Sequence, residues 1–122
     1  MNRDAFGEVY KSLKNILKKC EKGMTVKDDG KGNYQLIGPY SEKFKKELWF
    51  GAVQIKKNYV SYYLMPVYMY PELAKEIPPV LKKRMQGKSC FNFKEPDKEL
   101  FRDLGKLTES SYKMFKKRLD DI

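Results

Sequence analysis

Cys90 heads the residues able to do chemistry. It lies in the run Lys88-Ser89-Cys90-Phe91-Asn92-Phe93, where an ammonium two residues away favours the thiolate, the form of cysteine that attacks electrophiles. In an extended segment Cys90 and Asn92 share one face, with Phe91 and Phe93 on the other. Packing of the thiol beneath a covering helix is the competing reading and the preferred one, because cysteine is among the most buried residue types. The chain has no histidine. A Ser/His/Asp or Cys/His relay, an imidazole-based zinc site and a histidine pH switch therefore all need a partner chain. Whether the protein is an enzyme stays open, with no catalytic residue assigned and only Cys90 or a carboxylate left to act.

The aromatic residues offer an alternative to catalysis. Tyr59, Tyr62, Tyr63, Tyr68 and Tyr70 crowd one segment with Met65 and Met69, after Trp49 and Phe50. A groove between a sheet and a helix would combine apolar walls with tyrosine hydroxyls that orient a small ligand. The candidate ligand-binding set is Trp49, Tyr62, Tyr63, Tyr68, Lys88, Cys90 and Asn92, weighed against ordinary core packing of the same rings. Glu72/Glu76, Asp28/Asp29 and Asp120/Asp121 could each approach an oxygen-seeking cation, but each reads as a surface pair, so no metal ligand and no cofactor is assigned. Gly87-Lys88-Ser89 ends like a phosphate-binding loop, yet Lys82 stands where that loop needs a glycine. Gly30-Lys31-Gly32 reads as a hairpin turn.

Charge adds a second partner class. Lysine and arginine number 26 against 16 aspartates and glutamates, a net +10. Lys82, Lys83, Arg84 and Lys88 precede Phe91 and Phe93, and cations beside exposed rings can hold phosphates and stack bases. The remaining charge is dispersed in pairs such as Lys18/Lys19 and Lys56/Lys57, which is the pattern of a solvated surface. A small ligand or a protein is the favoured partner, a nucleic acid the alternative, and the expected state is a monomer or homodimer.

These residues need elements to hold them. With 122 residues, 41% hydrophobic and 17 aromatic, the chain suits one domain over 1–122 that can build a core without staples. Phe6, Val9, Tyr10, Leu13, Ile16, Leu17 and Cys20 recur at helical spacing, predicting a helix over 2–21 with Asn2 or Asp4 as cap and Gly23 as terminator. Strands are expected over 24–27 and 33–38, joined by a turn at 28–32, with Pro39 closing the return. Two more are expected at 49–55 and 59–65, the latter with Val60, Tyr62 and Leu64 on one face and Tyr59, Ser61, Tyr63 and Met65 on the other. Short helices follow at 72–77 and 80–85, the second ended by Gly87, then a strand at 89–93. Asp97 caps a last helix that Gly105 and 108–111 should weaken or kink. Two cysteines and no signal-like apolar start predict a cytoplasmic protein, and no run reaches the roughly 18 to 20 apolar residues of a membrane span.

Two segments carry a resemblance. Phe50 to Val67, FGAVQIKKNYVSYYLMPV, and Lys83 to Phe93, KRMQGKSCFNF, resemble the bacterial domain of unknown function family 1801, the YdhG-like proteins, over roughly residues 6 to 119. The resemblance implies an α+β fold, a curved antiparallel β-sheet flanked by N-terminal and C-terminal helices. It also implies partial likeness to frataxin-like iron chaperones. An iron-handling surface of that kind would be acidic, whereas the first helix offers Asp4, Glu8 and Glu21 among five lysines and arginines up to Lys19.

Overall fold

The computed structural model describes residues 3–41 and 45–118. Helix α1, Arg3–Lys18, buries Val9, Leu13 and Leu17 completely, as the spacing requires. Asn2 lies outside the described residues, and Asp4 sits within the first turn. Gly23 follows with φ +81°, a left-handed conformation that reverses the chain without steric penalty.

Strands β1, Thr25–Gly30, and β2, Asn33–Ser41, form the first hairpin. Its turn is shorter than expected, because Asp28 and Asp29 belong to β1 and only Lys31-Gly32 connects the strands. The two aspartates do not converge on a cation site. Asp28 accepts a hydrogen bond from Asn33 at 2.7 Å, while Asp29 pairs with Lys14 of α1 at 2.5 Å. Strand β1 is exposed throughout and forms one edge of the sheet. Pro39 does not close β2. The β1 ladder ends at Ile37 and the register with the next strand shifts between Ile37 and Tyr40, so no ladder bond is asked of the proline nitrogen.

Strands β3, Lys46–Ile55, and β4, Val60–Leu64, continue the meander. Their glycine-free turn is closed by the Lys56 N–H, which donates to the Tyr59 carbonyl at 2.8 Å. Met65, expected to end the strand, instead opens α2, Met65–Met69. Helices α3, Pro71–Ala74, and α4, Pro79–Lys82, follow, and all three short helices carry proline in the first turn, where no intrahelical N–H is needed. The helical turn expected through Met85 stops at Lys82. Met85–Gln86 is strand β5, which pairs with β6, Cys90–Phe93, and Gly87 at φ +79° lies in their connection.

Helix α5, Lys98–Arg118, runs unbroken for 21 residues. Asp97 caps it, accepting from the Leu100 N–H at 3.0 Å. The helix is not split at Gly105 or over 108–111, because tertiary contacts outweigh local propensity. Thr108 and Ser111 are buried against the core, and the Thr108 hydroxyl bonds to Tyr62 at 2.7 Å.

The six strands are ordered β1-β2-β3-β4-β6-β5, and every pairing is antiparallel. Directly paired residues share a face. Tyr34, Val53, Tyr62 and Phe91 form one such row, and all four are buried. This inner face meets both long helices, through Leu17 of α1 beside Gly51 and through Phe115 of α5 against Phe50. The architecture is thus a mixed α+β fold in which the N-terminal and C-terminal helices pack on the same side of an antiparallel sheet. Neither long helix covers the other side.

Candidate functional site: the outer face of the sheet

The strand register assembles two neighbouring rows on the outer face. Asn33, Gln54, Ser61 and Asn92 make one row across β2, β3, β4 and β6. Asp28, Gln35, Ala52, Tyr63, Cys90 and Gln86 make the next, spanning all six strands. The amides interlock in two clusters. Gln54 and Gln35 both donate to Asn33 Oδ1, at 3.1 and 3.3 Å. Farther along, Ser61 donates to Asn92 Oδ1 at 2.7 Å and Asn92 donates to Gln86 Oε1 at 2.7 Å. No hydrogen bond is recorded between the side chains of Gln54 and Ser61, where the two clusters meet.

Aromatic rings and a cation cross these rows. Trp49 packs on Tyr63 with ring centroids 5.4 Å apart, and Lys56 Nζ lies 5.8 Å from the Tyr63 ring while donating to Gln54 Oε1 at 2.7 Å. An ammonium within about 6 Å of a ring centroid is attracted by its electron-rich face. The indole Nε1 of Trp49 is buried with no hydrogen-bond partner among the described residues. At the end of the sheet, Lys88 Nζ stands 5.9 Å from the ring of Tyr68, which is 60% exposed.

Four of the seven residues expected to contact a ligand therefore meet on this face: Trp49, Tyr63, Cys90 and Asn92. Tyr68 and Lys88 form a separate pair beside it. Tyr62 is set apart from both. It is fully buried on the inner face, its hydroxyl is held by Thr108, and burial pushes that hydroxyl far above the ordinary tyrosine range.

Cys90 is half-buried, and its thiol donates to Asn92 Oδ1 at 3.4 Å. Burial pushes the thiol up, with Ser61, Tyr63 and the charge of Lys56 acting in the opposite direction. The cation that favours its thiolate is thus Lys56, from the connection after β3, while Lys88, its neighbour in sequence, lies beside the Tyr68 ring. Lys88, the cation that the alternative reading invoked, is not among the groups that act on the thiol. Cys20, on the helix side, is more deeply buried and its thiol is pushed up to about 12. Both thiols should react more slowly with a small aromatic disulfide at pH 8 in the native protein than in urea, and Cys20 should be the slower. A native Cys90 faster than the unfolded thiol would instead identify an activated nucleophile.

The two phenylalanines that follow the basic cluster are not available for stacking. Lys82, Lys83, Arg84 and Lys88 are exposed, but Phe91 and Phe93 are buried. No three cysteine, aspartate or glutamate side chains converge on a metal site among the described residues, and Asp120/Asp121 lie outside them. Three hollows are lined by described residues. One of about 350 Å³ lies between α1 and α5, one of about 210 Å³ beside Pro96, and one of about 200 Å³ beside Pro39. Cys90 lines none of these three. Lys56, Gln54, Ser61 and Gln86 were not anticipated at the site. The signal for two of them was a lone amide or hydroxyl in an otherwise apolar run, next to an inward-facing residue: Gln54 beside Val53 and Ser61 beside Tyr62.

Fold and surface together define a small mixed α+β domain with one uncovered sheet face, rich in amides and aromatic rings. No helix among the described residues is long and apolar enough to cross a membrane. No family model, curated protein or solved structure matches the chain.

Proposed function

We propose that this protein is a non-catalytic binding domain that takes a small ligand or a protein segment on the outer face of its sheet. The convergence of Trp49, Tyr63, Cys90 and Asn92 on one face supports this reading, because it sets a stacking surface beside amide donors and acceptors. The raised thiol of Cys90 speaks against nucleophilic use. Membership of the YdhG-like family and a cytoplasmic location belong to the same proposal. The test is a titration with benzamide, a flat ring carrying one donor and one acceptor group, followed by amide and indole chemical shifts. Shift changes centred on Trp49, Tyr63 and Asn92, with affinity reduced about tenfold in Tyr63→Ala, are expected. Changes centred elsewhere, or none, would overturn the choice of face.

A second reading has its own observation. Lys56 beside Tyr63 and Lys88 beside Tyr68 repeat an ammonium next to a ring, the pairing that holds a phosphate near a stacked base. Under that reading a ten-residue oligothymidylate binds with an affinity that falls as salt rises and falls again in Lys56→Gln/Lys88→Gln. Absent or salt-independent binding excludes it.

A further inference from the structure

The groove between the two long helices is a different kind of surface. Gly105, midway along α5, lines it, and a Cβ built there would meet nothing within 4 Å. The missing side chain helps leave the hollow of about 350 Å³, which lies at the lower end of the range that holds small ligands. Ile16 of α1 and Cys20, just past the end of that helix, face Phe101 and Tyr112 of α5 across it. Both hydroxyls among its lining residues are already engaged, Thr108 with Tyr62 and Tyr112 with the Lys22 carbonyl, so the apolar side chains set the character of the floor.

Its rim is cationic. Lys19 comes from the turn that follows α1, and Arg102 and Lys106 come from α5 at i,i+4 spacing, where two like charges repel. All three are exposed, and none has an ion pair among the described residues. The single acid on the rim, Glu109, is paired with Lys113 at 3.1 Å. An apolar trough edged by three uncompensated cations complements a molecule with an apolar chain and an anionic head.

We propose that the α1–α5 groove binds a straight-chain carboxylate of medium length, the chain lying on the floor beside Gly105 and the carboxylate meeting Arg102, Lys106 and Lys19. This site is independent of the outer sheet face. Calorimetric titration of the full chain with octanoate tests it, with octan-1-ol as the uncharged comparison. One saturable octanoate site is expected, with octanol at least tenfold weaker. Arg102→Gln/Lys106→Gln, both on exposed positions, should weaken octanoate at least tenfold without changing the unfolding midpoint. Gly105→Leu should abolish binding by filling the trough, and its unfolding midpoint should not fall, since leucine favours the helix over glycine. Tyr63→Ala should bind octanoate as the unaltered chain does. The proposal is overturned by no octanoate binding, by equal affinity for octanol, by binding that survives Gly105→Leu, or by loss of binding in Tyr63→Ala. It is also overturned by a concentration-dependent dimer that Gly105→Leu dissolves, since a second copy would then be the occupant.

Discussion

Replacing Phe115 by alanine is expected to remove about 3–5 kcal/mol of folding stability, a large share of the roughly 5–15 kcal/mol that holds a domain together. The ring is fully buried and meets Phe50 edge-on, with centroids 5.3 Å apart. It also fills the space left by a missing side chain on β2. A Cβ at Gly38 would come within 2.5 and 2.6 Å of its Cε2 and Cζ atoms. The ring therefore depends on glycine at that position, and the two sites should be coupled. Gly38→Ala alone is expected to cost about 1–3 kcal/mol, because the crowded ring must shift within a packed core. Combined with Phe115→Leu, the added methyl fills part of the space the ring vacates, so the double variant should lose at least about 0.5 kcal/mol less than the sum of its parts. Urea unfolding of the four proteins at constant m-value measures each term. Strict additivity would show that the ring does not rest on Gly38.

Gly51→Ala should be comparably damaging for a different reason. A Cβ there would lie 2.6 Å from the Tyr63 carbonyl oxygen and 3.2 Å from Cδ1 of Leu17 in α1. A ring tip can move aside, whereas a backbone carbonyl within the β3–β4 ladder cannot move without disturbing the pairing of those strands. The expected loss is about 3 kcal/mol. Trimming Leu17 should not restore it, because the closest contact is with the main chain. Recovery in Gly51→Ala/Leu17→Ala would refute that assignment of the clash. Since Tyr63 belongs to the outer face, surviving Gly51→Ala protein should also bind benzamide more weakly.

The sequence displayed the elements better than the relations between them. Helix α1 follows from its three- and four-residue spacing, and the Asp97 cap from its place before α5. Alternation in β4 also separated Tyr62 from Tyr63, so a ligand set containing both could not occupy a single face. The partner of Cys90 was out of reach for a physical reason. Lys88 precedes it by two residues but lies in the turn after Gly87, while Lys56 comes from the distant β3–β4 turn, brought near by the pairing of β4 with β6. The amide row depends in the same way on β6 pairing with β4 and leaving β5 outside, an order that no local pattern encodes. Strand β5 is only two residues long and has no period to read. The unbroken α5 shows the converse, with packing at Thr108 and Ser111 overriding a weak stretch of local sequence.

The two borders of the sheet bear on how the protein behaves when concentrated. A sheet that keeps one face open risks recruiting further copies through unpaired strand edges, the route to fibrils. Here one border is β5, with only two residues to offer as a template. The other is β1, fully exposed but carrying Lys27, Asp28 and Asp29, with its register shifted between Val26 and Asp28. Short length on one side, and charge with a local irregularity on the other, are the devices by which natural sheets refuse edge-to-edge growth. The outer face can therefore stay open while neither border offers a long, regular template for a further strand.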